Sequence, residues 1–447
     1  MSVYNLDVTA SELTGDLTSS GVDTTTLNSI LNLLGTNGSL GDGVVNARFA
    51  QGTNVINSVS DELIVLQGPS ELSLQGSNTN VAVAGSAGDD IVTLVNLGGA
   101  SILGGSGDDY VADFSSTGNN INTGSGDDFV LVDTAAAGVA TVSAGTGDDL
   151  VIMTGGSASV DAGTGDDYIY ANGVEAVTVS GGTGDDHIRL EGTGDLSGDG
   201  GTGNDTLIYL GTGSSTLTGG LGDDYIYSNS LTGGSVVGGN GSDYVYVAGG
   251  TADGGTGDDV LVNIGLGGST TLLGGDGNDY MFSSGGDSYM DGGAGQDTIY
   301  AGAGSETIFG GTGDDVIINV DPTGGLSVDG GAGSDYIYDL GSGASSIIAG
   351  SGDDTVYFGG GADSVSGGAG DDVFIFSNTA GIGSDTVDGG AGADYLFLQG
   401  VYSDTSVVTN NPDGTVTVSI LDAPGGVITE TVVITGVETI VFDQHSS

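Results

Sequence analysis

The sequence predicts an all-β chain wound as a right-handed parallel β-roll, a β-solenoid with about 18–19 residues per turn. Two observations carry this reading. Gly-rich loops closed by an acid recur as GSGDD at 105–109, GTGDD at 145–149, 163–167 and 182–186, GTGND at 201–205, GTGDD at 255–259 and 311–315, and GSGDD at 350–354. An apolar residue follows two positions after each closing acid, inside a short stretch of period-two alternation. With 92 glycines, four prolines and no tryptophan in 447 residues, the composition would otherwise suggest low complexity. The fixed placement of the glycines beside apolar residues argues for stacked turns instead.

Each turn begins at its loop. The closing acids stand at Asp90, Asp109, Asp128, Asp149, Asp167, Asp186, Asp205, Asp224, Asp243, Asp259, Asp279, Asp297, Asp315, Asp335, Asp354 and Asp372. The apolar residues behind them are Val111, Val130, Val151, Ile169, Ile188, Leu207, Ile226, Val245, Leu261, Met281, Ile299, Ile317, Ile337, Val356 and Phe374. Period-two alternation points them all inward, to stack on one another as a core. From Asp90 to Asp279 the other half of each turn is a looser bend, such as Gly98-Gly99 or Gly233-Gly234. The acid spacing halves at Asp297, Glu306 and Asp315, at Asp354, Asp363 and Asp372, and at Asp385 and Asp394, so those stretches carry acids on both edges.

Charge narrows the partners. Sixty acidic residues face only Arg48 and Arg189, a formal net charge of −58. Such a chain repels nucleic acid and anionic membrane surfaces. A patterned acidic array of this density needs cations to stay folded. Cysteine is absent, so neither a disulfide nor a thiolate metal site can replace them. No basic segment followed by an apolar one opens the chain, and no apolar run approaches membrane-spanning length. The expectation is therefore no cleavable signal peptide and no membrane span.

Residues 104–112, GGSGDDYVA, fit the pattern G-G-x-G-x-D-x-U-x. This resembles the calcium-binding nonapeptide of RTX (repeats-in-toxin) proteins. The glycines permit positive φ and aim carbonyl oxygens inward, and the acid adds a charged oxygen. A set of about six hard oxygens suits Ca²⁺ better than a transition metal. The resemblance implies Ca²⁺ between successive loops, with the acids above and Glu306, Asp363, Asp385 and Asp394 as ligands. Glu306 is the bulkiest of them. At ten times the dissociation constant each ion stabilises the fold by about 1.4 kcal/mol, so about fifteen or more make folding calcium-dependent.

The chain divides into residues 1–75, a cap or contact region; 76–399, the calcium-binding roll; and 400–447, a β cap. Leu27, Ile30, Leu31, Leu33 and Leu34 predict a short helix stopped by Gly35. Turns at 411–414 and 424–426 separate strand-like runs at 415–420 and 431–435. The stretch TGVETIVFDQHSS at 435–447 is similar to the C-terminal ends of RTX proteins exported by type I secretion. That resemblance implies release from a Gram-negative bacterium and folding in external calcium. The alternative reading, compatible with the first, is that the stretch caps the last open strand.

Two outward ladders remain. Asp89, Asp108, Asp127, Asp148, Asp166, Asp185, Asn204, Asp223 and Asp258 form a solubilising edge or a place for further bridging ions. Tyr110, Tyr168, Tyr170, Tyr225, Tyr227, Tyr244, Tyr246, Tyr280, Tyr300, Tyr336, Tyr338, Tyr357 and Tyr395, with Phe129, Phe282, Phe309 and Phe397, predict an aromatic wall. It is either a contact surface or cross-strand stacking that stiffens the sheet. His187 and His445 have no nucleophile beside them in sequence, and repetition makes the Asp pairs ligands, so no enzyme is expected. The leading expectation is a secreted structural protein that assembles with itself at the cell surface, as a surface-layer or matrix subunit, with a cell-surface glycan as a further possible partner. One alternative is an adhesin or ice-binding module, since the loops resemble the RTX ice-binding domain of a bacterial adhesin and Thr146, Thr164, Thr183 and Thr202 form a four-step run. A soluble calcium-binding or mineral-nucleating protein is the third.

Overall fold

The computed structural model describes residues 4–8, 45–56, 63–76, 81–133, 138–231, 233–265, 269–339, 341–377, 383–402, 406–421, 424 and 428–443. The helix expected near 27–34 and His445 lie outside the described residues. Every regular element described is a β-strand, and almost all pairings are parallel. Two compact units divide the chain, residues 1–225 and 226–447.

In the first unit successive strands alternate between two parallel ladders. Val139–Thr146 pairs with Ser157–Thr164, which pairs with Ala176–Thr183, which pairs with Leu196–Thr202. The intervening strands Leu150–Thr154, Tyr168–Val174 and His187–Gly192 pair with one another in the same way. Identical positions therefore lie side by side: Val142, Val160 and Val179 in one ladder, Val151, Ile169 and Ile188 in the other. None of these six is more than 2 % exposed. Parallel pairing already joins Val45–Ile56 to Leu63–Gln75, upstream of the first acidic loop, and Tyr4–Val8 adds to the former antiparallel.

The second unit repeats the plan. Thr270–Asp276, Ser288–Ala294, Glu306–Thr312 and Leu326–Ala332 form one run of parallel neighbours, and Tyr280–Ser283, Thr298–Ala301 and Val316–Asn319 the other. After Tyr395–Tyr402 the chain makes an antiparallel excursion through Ser406–Asn410 and Val416–Leu421. Its third strand, Ile428–Thr435, is antiparallel to Val416–Leu421 yet parallel to Ser384–Ala391, and Thr439–Asp443 then lies parallel to Tyr395–Tyr402. The strand-like run expected at 431–435 falls within Ile428–Thr435, and the one expected at 415–420 matches Val416–Leu421 shifted by one residue.

All fifteen apolar residues expected to point inward are buried. The aromatic wall needs correcting at Phe309, which lies in the other ladder, opposite Asp291 and packed against Tyr289. Its offset of three is counted from Glu306, which begins a strand on the opposite side of the turn. The remaining wall alternates aromatic with aliphatic and Thr residues, as in Tyr280, Thr298, Val316 and Tyr336. Where rings adjoin they stack across strands: Tyr110 on Phe129 at 4.9 Å and Tyr168 on His187 at 4.8 Å.

Candidate metal centre

The loop at 145–149 shows how the site is built. Gly145 and Gly147 have φ of +120° and +124°, a region that L side chains avoid. A β-carbon on Gly145 would also run into the Gly124 carbonyl of the neighbouring loop. Glycine is thus required twice, for conformation and for the close stacking of loop on loop. Asp149 follows at the start of the next strand, with its side chain turned inward.

All twenty acids expected to bind metal are buried, at 3 % exposure or less. Most of them are joined into a ladder of hydrogen bonds. In the first unit the backbone N–H of Asp90 donates to Asp109 Oδ1, Asp109 to Asp128, Asp128 to Asp149, Asp149 to Asp167, Asp167 to Asp186, Asp186 to Asp205 and Asp205 to Asp224, at 2.6–2.9 Å. In the second unit the same bond links Asp243 to Asp259 and continues through Asp279, Asp297, Asp315, Asp335, Asp354 and Asp372 to Asp394, at 2.7–3.0 Å.

The other oxygen is the informative one. Oδ2 of Asp109, Asp149, Asp167, Asp186, Asp205, Asp259, Asp279, Asp297, Asp315, Asp335, Asp354, Asp372, Asp385 and Asp394 is buried without a hydrogen-bond partner. Asp186 Oδ2 and the Gly200 carbonyl oxygen converge on the α-carbon of Gly181, where a β-carbon would fill the space between them. Gly254 gathers Asp259 Oδ2 and the Gly274 carbonyl in the same way, and Gly292 gathers Asp297 Oδ2 and the Gly310 carbonyl. A buried carboxylate oxygen facing a carbonyl oxygen is repulsive unless a cation or a proton lies between them. Burial accordingly lifts Asp109 to about 8, Asp149, Asp186, Asp259, Asp315 and Asp354 to about 7, and Asp167, Asp205, Asp279 and Asp297 to about 6.

Among the described residues no three metal-ligating side chains converge on one point. An ion here would be held by carboxylate and backbone carbonyl oxygens of adjacent turns, a hard donor set that fits Ca²⁺. On the second edge Asp363 donates its N–H to Asp385 Oδ1 at 2.8 Å, which continues the ladder geometry there. Glu306 is buried on the same edge, with neither carboxylate oxygen bonded to another residue, and burial lifts it to about 7.

The outward ladder has a role that sequence reasoning missed. Asp89 Oδ1 accepts the N–H of Asp108 at 3.0 Å, Asp108 that of Asp127, and so on through Asp148, Asp166, Asp185 and Asn204 to Asp223. What this position needs is an acceptor oxygen, which is why Asn204 and Asn278 serve as well as Asp. Two further acids were overlooked. Glu438 accepts the Asp394 N–H at 2.8 Å and so ends the ladder of the second unit. The segment Gly436-Val437-Glu438-Thr439-Ile440 has the loop spacing with Glu for Asp, a signal that could have found it. Glu430, by contrast, lies in no loop.

The family model for the RTX calcium-binding nonapeptide repeat (4 copies) matches residues 199–230, 264–299, 282–317, 339–374 and 379–400. The chain carries RTX calcium-binding nonapeptide repeats wound as a β-roll. A comparison with curated proteins finds no match. Upstream of the matched stretches the RTX geometry is the same: the loops from Asp109 to Asp186 carry the hydrogen bonds and bare Oδ2 atoms of the matched ones. RTX repeats bind calcium and are typical of secreted proteins.

Proposed function

We propose that this RTX chain is a secreted structural protein, unfolded where calcium is scarce, that folds in external calcium and assembles with itself at the cell surface. The observation that carries the calcium dependence is the row of buried Oδ2 atoms without donors, repeated turn after turn. The reading makes the acids of each ladder, from Asp90 to Asp394, the ligands, with Gly carbonyls of the adjoining loop completing each site. It assigns no reaction to the chain.

Assembly rests on the ladder that carries the aromatics. Tyr168 and Tyr225 in the first unit, and Tyr244, Tyr280, Tyr336 and Tyr395 in the second, stand exposed on it, Tyr244 by 50 %. Exposed rings repeated along a ladder within each unit favour contact with another surface. Electron microscopy and light scattering of the full chain in millimolar calcium test the reading. Ordered sheets or filaments are expected, and they should weaken when Tyr168, Tyr244 and Tyr280 are changed to Ser. Persistent monomers at high concentration would overturn it.

One observation favours a second reading. Thr146, Thr164, Thr183 and Thr202 lie in exact parallel register and are exposed, as an ice-ordering row requires. The row ends at Leu221, and exposed Asp148, Asp166 and Asp185 flank it. Thermal hysteresis in calcium would establish ice binding; its absence leaves assembly as the reading.

A further inference from the structure

Glu430 sits on the strand that returns from the antiparallel excursion. Register places Ser384 opposite Thr431 and Asp385 opposite Val432. The Ser384 and Thr431 hydroxyls are 2.9 Å apart, and the Thr431 N–H donates to the Gly383 carbonyl at 3.4 Å. The backbone of Glu430 therefore runs beside the loop that Asp385 closes.

Both acids are removed from water, Glu430 at 3 % exposure and Asp385 at 0 %. Asp385 spends Oδ1 on the Asp363 N–H and leaves Oδ2 without a donor. Neither carboxylate oxygen of Glu430 has any hydrogen-bond partner. This separates it from Glu438, which is occupied by the Asp394 N–H. No Lys or Arg of this unit can balance them, because residues 226–447 contain neither. Burial, then the charges of Asp385 and Asp363, push the Glu430 carboxyl up to about 7. A buried acid in such surroundings needs either a proton or a metal ion.

We propose that Glu430 and Asp385 are joint ligands of a calcium ion that fastens the C-terminal antiparallel cap to the second edge of the roll. The site lies outside the repeat pattern, since one ligand comes from a strand with no Gly-rich loop. It also gives the cap a function, because its docking is then governed by the same ion that folds the turns. The inference rests on the calcium reading of the repeats.

Native mass spectrometry of the full chain in saturating calcium tests it, with the unmodified protein beside Glu430→Gln and Glu430→Met. Each variant should carry one ion fewer. Hydrogen exchange at 428–435 should quicken about tenfold, as for loss of about 1.4 kcal/mol of local stability, while residues 243–279 keep their protection. An unchanged ion count in either folded variant overturns the proposal, and an equal or higher melting temperature would then identify Glu430 as a protonated buried acid. If the unmodified chain binds no calcium at all, the proposed function fails first, a result distinct from the other two.

Discussion

Where a loop ends in two adjacent acids, the two do different work. The inner one, such as Asp186, accepts one N–H and turns its second oxygen toward the Gly200 carbonyl, where only a charge-compensated arrangement is stable. The outer one, Asp185, accepts the Asn204 N–H in water. Substituting Asn should therefore separate the pair. Asp186→Asn keeps an acceptor but loses the anion, and should cost about 1–3 kcal/mol in calcium. Asp185→Asn should stay within about 0.5 kcal/mol, as a surface change does. Denaturant melts with calcium and with chelator measure both, and the difference should shrink when calcium is removed. Gly181→Ala provides an independent check: its methyl group would occupy the space between Asp186 Oδ2 and the Gly200 carbonyl, so calcium titration should lose affinity around that loop.

Strands are held by identical residues stacked in register. Ile188 is fully buried between Ile169 and Leu207, so Ile188→Ala should cost about 2–5 kcal/mol by opening a cavity that neighbouring turns cannot close. Thermal melts in saturating calcium measure that loss. The inward aliphatics and the inner acids were legible in the sequence because both repeat at the period of the turn. Phe309 misled because its offset was counted from an acid on the opposite edge, and sequence spacing does not say to which ladder a strand belongs. Glu430 was invisible for another reason. It reaches Asp385 only after a long detour through two antiparallel strands, and no local pattern records where such a detour returns. The outer Asp ladder was read as charge because its hydrogen bonds run between turns, a direction in which the sequence offers only the period.

For the whole chain, the buried acids make pH and calcium interchangeable to a degree. A carboxyl whose folded pKa lies above its unfolded value binds its proton more tightly in the folded chain. Its contribution to stability is fully present below the unfolded value of 3.8 and is lost as pH climbs through about 6 to 8, the range of Asp205, Asp186 and Asp109. Metal-free protein should accordingly gain β structure on acidification toward pH 4 and lose it near pH 7.5, by circular dichroism. Calcium should reverse that loss. Binding at pH 7 should also release protons, seen as a calorimetric heat that changes with the ionisation enthalpy of the buffer. A chain that kept its full β signal in chelator at pH 7.5 would contradict this linkage.

The inner hydrogen bonds all point one way. In the second unit the N–H of each inner acid from Asp243 through Asp259, Asp279, Asp297, Asp315, Asp335, Asp354 and Asp372 to Asp394 is satisfied by the acid of the turn that follows it in the chain, and the series closes at Glu438. A turn laid onto its C-terminal neighbour finds an acceptor already waiting, whereas one laid onto its N-terminal neighbour leaves its own amide bare until another arrives. Taken alone the inner ladder favours closing from tail toward head, whereas the outer ladder, in which Asp108 donates to Asp89 of the preceding turn, favours the reverse.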